Sequence, residues 1–299
     1  AKKLLCDDEK DTLWFRGQAV CSWNLSPALF RGKGENIQKN YVQAYELFRA
    51  DSYGAVELFG GIQTEADWIS YMQHYFVPTN FMDWTEQPLT SLYFILENYF
   101  KDFCRFHKDP IIRECRSENK KNRLEQDSVL YVLNPERMNE ALGHTSVIPN
   151  LSIPENAKKY NHYLIPSLDK NDYDSIGEEM PVYNGGKIKD KLNPIAIITS
   201  QLSNRIKAQR GHFVAFNTNV FVPDSMSKVK LQEVFDLEKI QQSIYDKNQE
   251  EFKPFLHKII IPLKCKEDLS VFVGEMGISL ARIYPELHNI GEEIASKFN

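Results

Sequence analysis

The irregular order of strand-like and helix-like segments most constrains the fold of this 299-residue chain. The segments do not follow the regular β-α-β alternation that builds a parallel sheet. The order therefore predicts an α+β fold with a mixed or antiparallel sheet and flanking helices. Strands are expected at residues 13–15, 81–84, 128–133, 194–199, 212–216 and 257–263, and helices at 36–58, 65–75, 85–100, 225–251 and from 284 onward.

Length and composition fit a single domain, residues 1–299, with a substantial core. Two stretches, at about 103–127 and 139–190, are expected to be insertions on the surface. The first is rich in mixed charge, and the second is irregular and contains Asn, Pro, Gly and Tyr. The net charge of −5 argues against broad, sequence-independent binding to a phosphate backbone.

No sequence signal indicates secretion or a membrane span. The five cysteines are scattered and include no C-x-x-C pair, which is typical of reduced thiols. No apolar run reaches the roughly 18 residues that a membrane span requires. Residues 1–11 lack the apolar core of a signal peptide. We therefore expect a cytoplasmic protein without membrane contacts.

Arg16 stands in the run Trp-Phe-Arg-Gly-Gln, at the end of a short aromatic strand. Its neighbour Gly17 has no Cβ, so a planar anion or a phosphate can approach the guanidinium closely. The alternative is a structural ion pair between Arg16 and a carboxylate at the strand end. Composition alone slightly favours that alternative.

Residues 73–85 concentrate polar and aromatic side chains at a junction of helix, strand and helix. Pro78 ends the first helix, because the residue before a proline disfavours helical geometry, and Thr85 is expected to cap the next helix. Asp83 and Thr85 either tie down backbone N–H groups there or help a helix N-terminus to hold an anion or a ribose. The two roles are compatible, because a capping residue can also face a ligand.

A third polar block, residues 204–213, leads into a strand and contains three cations. It is either an exposed basic turn or part of the same site. His74 and His212 are interpreted as structural histidines. The sequence lacks the HExxH, P-loop, GxGxxG and GxSxG motifs, so it gives no support to zinc peptidases, P-loop NTPases, Rossmann enzymes or α/β-hydrolases.

Together the three blocks resemble the FRG domain, a family named for its Phe-Arg-Gly motif. Residues 15–18, 73–85 and 205–213 are similar to its F-R-G-Q, Q-H-Y-G-x-P-T-R-L-L-D-W-T and R-x-x-A-Q-x-G-x-F blocks, and Trp23, Leu25, Pro27, Arg31 and residues 284–287 are similar to further positions of its pattern. Two residues depart from that pattern. Phe76 stands where the family usually has Gly, and Asn80 stands where it usually has Arg.

A more distant resemblance is to ADP-ribosyltransferases, which carry three ordered elements. These are an Arg on a first strand, often followed by Gly, a Ser-Thr-Ser strand that leads into a helix, and a late strand with a catalytic Glu. The similar residues are Arg16 and Gly17 for the first element, residues 83–85 with Ser91, Tyr93 and Phe94 for the second, and Gln209, Gly211 and Phe213 for the third. The resemblance implies an ADP-ribosyltransferase-like fold, NAD as co-substrate and no metal.

The resemblance also implies how the residues would serve NAD chemistry. Cleavage of the nicotinamide–ribose bond passes through an oxocarbenium-like state, so the enzyme mainly clamps the pyrophosphate and orients the ribose. Arg16 would hold a phosphate or ribose oxygen, and Asp83 or Thr85 would support the ribose or Arg16. A tyrosine would stack on the nicotinamide. The residues expected to bind NAD are Arg16, Gly17, Gln18, Tyr75 and Tyr93.

Gln209 stands where the transferases carry their catalytic Glu. An amide can orient a 2′-hydroxyl, but it has neither the charge nor the basicity of a carboxylate. Either the acceptor supplies its own nucleophile, or another carboxylate, first of all Asp83, takes the role, or the site binds without catalysis. The expected catalytic residues are Arg16, Asp83, Thr85 and Gln209. Arg16, Thr85 and Gln209 are predicted to line one cleft.

By family analogy we expect an ADP-ribosyltransferase of bacterial or phage-defence type, a toxin held in check by an antitoxin or inhibitor protein. The acceptor would be a nucleobase in RNA or DNA, or a protein side chain. Arg205 and Arg210 would bind it, and RNA is favoured if the cations line the cleft, since cations and aromatic rings suit a splayed single strand. Two other classes stay open: a non-catalytic nucleotide-sensing or interaction module, and a hydrolase of NAD or nucleic acid that uses Asp83 with a metal.

Overall fold

The computed structural model describes residues 5, 11–31, 37–57, 62, 64–96, 126–165, 193–218, 235–247, 249–250 and 252–296. These residues contain one antiparallel sheet of six strands, in the spatial order β4-β5-β2-β1-β3-β6. The strands are β1 (Trp14–Gln18), β2 (Phe81–Thr85), β3 (Ser128–Leu133), β4 (Ile195–Ile197), β5 (Gly211–Ala215) and β6 (Leu256–Ile261). The predicted α+β class, with an antiparallel sheet and flanking helices, is confirmed.

Helices flank the sheet, and short capping motifs define several of their ends. The helices are α1 (Ile37–Glu57), α2 (Glu65–His74), α3 (Pro88–Leu96), α4 (Pro135–Ala141), α5 (Pro154–Lys159), α6 (Asn204–Gln209), α7 (Leu237–Lys247), α8 (Lys266–Glu275), α9 (Leu280–Ile283) and α10 (Leu287–Ser296). Thr64 and Asp67 form a capping box at the start of α2. The hydroxyl of Ser203 caps α6. No described helix combines the length and the apolar surface needed to cross a membrane.

Two clusters of buried side chains hold these layers together. The larger cluster includes Trp14 of β1 and Trp84 of β2, both almost fully buried. The smaller cluster joins α3 to α8 and to the end of β6, and Tyr93 of α3 lies within it. Helix α3 is therefore fixed against both the sheet and the C-terminal part of the chain.

Two boundaries near the predicted site differ from the expectation. The first strand runs from Trp14 to Gln18, so Arg16 lies in its middle and not at its end. Thr85 does not begin a helix but is the last residue of β2, and α3 begins at Pro88. The hydroxyl of Thr85 accepts a hydrogen bond from the backbone N–H of Gln87 and donates one to the carbonyl of Gln209. These two bonds close a turn between strand and helix, and a proline suits the first helical position.

The stretch at 139–190 was expected to be an insertion on the surface, but its described part, residues 139–165, contributes to the core. Leu151, Tyr163 and Leu164 are buried in the larger core cluster. The side chain of Asn139 exchanges hydrogen bonds with the backbone of Ala196, which ties the segment to β4. Residues 166–190 and 103–125 lie outside the described part of the chain, as do residues 225–234 of the predicted helix at 225–251.

Asn80 stands immediately before β2, at the position where the FRG resemblance leads one to expect Arg. It is fully buried and fully hydrogen-bonded. Its amide nitrogen donates to the carbonyls of Tyr163 (2.7 Å) and Phe216 (2.6 Å), and its oxygen accepts from the hydroxyl of Tyr41 (2.8 Å). One side chain thereby joins α1, the start of β2, the turn at Tyr163 and the end of β5.

Candidate functional site

A cleft of about 370 Å³ opens beside the strands β1 and β2. The two strands pair at a single position, Phe15 opposite Thr85, although they are neighbours in the sheet. Helix α3, the C-terminal end of α2 and helix α6 supply the other walls. Arg16, Thr85 and Gln209, which are far apart in the sequence, all line this cleft, as predicted.

Arg16 is mostly buried, and one end of its guanidinium is anchored. Its Nη1 donates a hydrogen bond of 2.6 Å to the main-chain carbonyl of Asp83 and lies 3.9 Å from a carboxylate oxygen of the same residue. Burial lowers the pKa of Arg16, and the charge of Asp83 opposes that shift. The Nε of Arg16 is buried and has no hydrogen-bond partner among the described residues. The guanidinium thus keeps a donor that none of the described residues uses.

Three other described residues of the cleft wall also carry a buried polar atom without a partner. These atoms are the hydroxyls of Ser70 and Ser91 and the indole nitrogen of Trp84. Each of the three residues is no more than 2% exposed. Buried polar groups are normally satisfied by protein, ordered water or ligand. The residues of the cleft wall therefore include polar atoms that no described residue satisfies.

Asp83 is the only carboxylate among the described residues that line the cleft. Its side chain is 58% exposed. The amide of Gln73 donates a hydrogen bond of 2.8 Å to Oδ2 of Asp83, and Gln73 in turn accepts one from the hydroxyl of Thr79. A carboxylate is thereby held in a defined orientation beside Arg16 and remains accessible to a ligand.

The rim of the cleft combines a cation, a histidine and aromatic rings. The guanidinium carbon of Arg205 lies 5.3 Å from the centre of the Phe76 ring and 4.4 Å from the centre of the Tyr284 ring. His74 lines the cleft next to them, and burial together with the charge of Arg205 lowers its pKa to about 4. His74 is therefore neutral at physiological pH. It is thus part of the cleft wall and not only the structural residue that was expected.

The lowered pKa of His74 predicts a stability loss in acid. Between pH 6.5 and about pH 4 the unfolded chain binds a proton at this position and the folded chain does not, so the free energy of unfolding falls as the pH falls. We expect wild type to lose roughly 1–2 kcal/mol more than His74→Gln between pH 7.5 and pH 5. Urea unfolding at both pH values measures the difference. An equal loss in the two proteins would contradict the lowered pKa.

Thr85 and Gln209 line the cleft, but the fold already uses polar groups of both. The hydroxyl of Thr85 is engaged with the backbone of Gln87 and Gln209. The side-chain amide of Gln209 donates a hydrogen bond of 3.1 Å to the carbonyl of Ile283. These contacts join β2, α6 and α9 around the cleft. They support a structural contribution from both residues.

The first two of the three blocks that build this cleft lie within one recognisable segment. Residues 11–103 match the FRG domain. The match begins before β1 and ends after α3. It therefore includes Arg16, Asp83 and Gln73, whose amide orients the carboxylate of Asp83. The part of the wall from Arg205 to Phe213 lies beyond the match. No curated protein and no solved structure matches the chain.

Gly17 of the FRG motif has a different role from the one expected. The space that a Cβ would occupy is taken by the carbonyl oxygen of Ser91, at 2.1 Å, and by the Cγ1 of Ile95, at 2.7 Å. The missing side chain therefore allows α3 to pack directly on β1. It does not leave room for an anion beside Arg16, as the sequence interpretation assumed.

Three residues expected to bind NAD do not line the cleft. Gln18 is only 5% exposed and is absent from the cleft wall. Tyr75 is exposed, but its ring packs against His74 and Phe48 outside the cleft. Tyr93 is fully buried in the smaller core cluster. The aromatic residues that do line the cleft beside these positions are Phe76 and Phe94, each one residue further along the chain.

Of the three cations in residues 204–213, only one lines the cleft. Arg205 lines the cleft, whereas Lys207 and Arg210 do not. Arg210 is exposed and ends α6 in a left-handed conformation, with φ of 44°. Its carbonyl accepts a hydrogen bond from the backbone N–H of Glu86. Arg210 therefore belongs to the turn between α6 and β5 and does not line the cleft, and its contact with a substrate stays a prediction.

Several cleft residues were not identified from sequence, although weak signals pointed to some of them. Phe76 departs from the FRG pattern. Ser91 and Phe94 belong, with Tyr93, to the second element of the transferase resemblance, but neither of them was assigned a role in binding. Ser70 gave no signal. His212 is structural, as expected: its ring stacks on Trp14 and its Nε2 lies 3.0 Å from Glu86. The described residues include no group of three or more His, Cys, Asp or Glu side chains that is able to hold a metal ion.

Proposed function

We propose that this chain binds NAD in the cleft and transfers the ADP-ribose unit to an acceptor, on a fold of the ADP-ribosyltransferase type. The observation that carries the proposal is Arg16, whose guanidinium is anchored beside Asp83 and keeps a buried donor without a partner among the described residues. Such donors suit the phosphate and ribose oxygens of a dinucleotide. Asp83 supplies the carboxylate that Gln209 lacks.

In the proposed reaction the bond between ribose C1′ and the nicotinamide nitrogen breaks. Nicotinamide leaves as a neutral ring with the bonding electron pair, and positive charge develops at C1′. A lone pair of the acceptor forms the new bond to C1′, and the acceptor's proton passes to the carboxylate of Asp83 as general base. Arg16 contributes by holding the pyrophosphate, so that the reacting atoms stay in register.

Asp83→Asn tests this assignment. We expect nicotinamide release to slow about 100- to 10,000-fold, because an amide cannot accept the acceptor's proton. NAD binding should change little, since an asparagine oxygen can still accept the hydrogen bond from Gln73. Released nicotinamide is measured by chromatography, and mass gain is measured on single-stranded RNA, single-stranded DNA and protein acceptors in parallel. Asp51→Asn is the matched control, because Asp51 is exposed on α1 and outside the cleft.

The outcomes separate the possibilities. Equal rates in wild type and Asp83→Asn would remove Asp83 from the reaction. Nicotinamide release without mass gain on any acceptor would make NAD hydrolysis the activity. RNA is the acceptor we propose first, because Arg205 and Phe94 give the cleft a cation and an aromatic ring that suit an unstacked base. Growth arrest on expression, relieved by Asp83→Asn, would support a toxin role.

A non-catalytic nucleotide-sensing module is the second candidate function. It is favoured by Thr85 and Gln209, since polar groups of both are used within the fold. This candidate predicts NAD binding that Arg16→Ala abolishes, without any release of nicotinamide. Calorimetry on wild type and Arg16→Ala, run beside the nicotinamide assay, distinguishes the two functions.

A further inference from the structure

Phe76 occupies a backbone position that favours glycine. Helix α2 ends in a Schellman motif, in which the N–H of Val77 bonds to the carbonyl of Met72 and the N–H of Phe76 bonds to the carbonyl of Gln73. This motif requires a left-handed residue after the helix cap, and Phe76 has φ of 65°. A side chain with a Cβ is strained in that conformation, whereas glycine is not.

Burial does not compensate for this strain. The Phe76 residue is 69% exposed, so little of its apolar area is removed from water. The ring nevertheless lines the cleft. A strained residue with an exposed apolar side chain is expected where a function requires that side chain.

Arg205 gives the ring a defined neighbour. Its guanidinium carbon lies over the rings of Phe76 and Tyr284, at 5.3 Å and 4.4 Å from their centres. No hydrogen bond or salt bridge joins Arg205 to another described residue. The rim therefore presents a flat ring and, beside it, a cation whose donors are not taken up by any described residue. A planar base carried by a phosphate matches both features.

We propose that Phe76 is the stacking surface for the heteroaromatic base of a bound nucleotide, with Arg205 beside it to bind the phosphate. The inference rests on the proposed function only in taking a nucleotide as the ligand. It adds the residue that recognises the base, and it assigns that role to a position where the FRG pattern has no side chain. Base–aromatic stacking is expected to account for a roughly 10- to 100-fold gain in affinity.

The test compares Phe76→Gly with Phe76→Tyr and, as a matched control, Tyr75→Ala, whose ring is a neighbouring exposed aromatic outside the cleft. The probes are adenosine monophosphate, nicotinamide mononucleotide and ribose 5-phosphate, which has no base. We expect Phe76→Gly to weaken at least one mononucleotide roughly 10- to 100-fold, while ribose 5-phosphate binding stays within about twofold. Phe76→Tyr and Tyr75→Ala should bind like wild type.

The melting temperature of Phe76→Gly should equal or exceed that of wild type, because glycine relieves the left-handed strain, so unfolding cannot explain weaker binding. The inference is overturned if Phe76→Gly binds both mononucleotides as tightly as wild type. It is also overturned if wild type binds them no more tightly than ribose 5-phosphate. Ring-dependent mononucleotide binding without nicotinamide release would overturn the transferase and leave the stacking role intact. Nicotinamide release together with mononucleotide binding that does not depend on the Phe76 ring would overturn the stacking role and leave the transferase intact.

Discussion

Gly17→Ala is expected to lower the free energy of unfolding by about 3 kcal/mol. The added methyl would stand 2.1 Å from the carbonyl oxygen of Ser91, a backbone atom that no side-chain rotation can move away. Helix α3 would have to shift from β1, and α3 is held on its other side by the smaller core cluster. The shift would also displace Ser91 and Phe94 from the cleft wall, so activity should fall in the fraction that remains folded.

Gly211→Ala is the matched control for that experiment, because Gly211 lines the same cleft. A Cβ at Gly211 would lie 3.7 Å from the nearest atom, the Cγ2 of Ile206, which is an ordinary contact. Its cost should stay below about 1 kcal/mol. Denaturant midpoints of the two variants give the comparison. Similar midpoints for both would show that the packing of α3 on β1 is not what requires glycine at position 17.

Asn80→Ala is expected to destabilise the fold by about 3 kcal/mol or more. The substitution removes three buried hydrogen bonds and leaves the carbonyls of Tyr163 and Phe216 and the hydroxyl of Tyr41 without their partner. A buried polar group that loses its partner keeps the full cost of leaving water. Chemical denaturation monitored by tryptophan fluorescence measures the effect, since Trp14 and Trp84 are both core residues.

Tyr41→Phe is the comparison for the Asn80→Ala experiment, because it removes a single one of the hydrogen bonds of Asn80. It removes one of the three bonds and keeps the packing of the ring, so it should cost about 1 kcal/mol. If Asn80→Ala costs no more than Tyr41→Phe, the amide of Asn80 does not hold the four segments together. The difference between the two variants thus isolates the two bonds to main-chain carbonyls.

Local patterns in the sequence predict many of the helices and strands. The apolar spacing of α1 and α2 and the aromatic or β-branched runs of the strands identified these elements to within a few residues. Strand pairing was not predictable, because β1 pairs with β3 and β2 with β5 across long stretches of chain. The burial of residues 139–165 was missed for the same reason: the buried residues are irregularly spaced, and their partners are distant in sequence.

At the cleft, the sequence identified the right blocks more often than the right side chains. Tyr93 and Phe94 are adjacent on one helix, and only the rotation of α3 about its axis decides which of them faces the cleft. The role of Gly17 was also not predictable from its neighbours in sequence, because the atoms that pack where its Cβ would be belong to Ser91 and Ile95. Arg16 and Asp83 were found because they stand in short polar and aromatic runs, Phe-Arg-Gly and Asp-Trp-Thr, that resemble the FRG pattern.

The single pairing position between β1 and β2 has a consequence for how the molecule folds. Within the FRG match, these two strands have almost no ladder with each other, and their full partners are β3 and β5, more than 100 residues away along the chain. Loops of that size must close before the native contacts form, which makes folding slow. During synthesis, β5 and the turn at Tyr284 leave the ribosome well after β1 and β2, so the cleft wall stays incomplete until both segments have emerged. Any activity of the cleft is thereby delayed until β5 and the turn at Tyr284 have been translated.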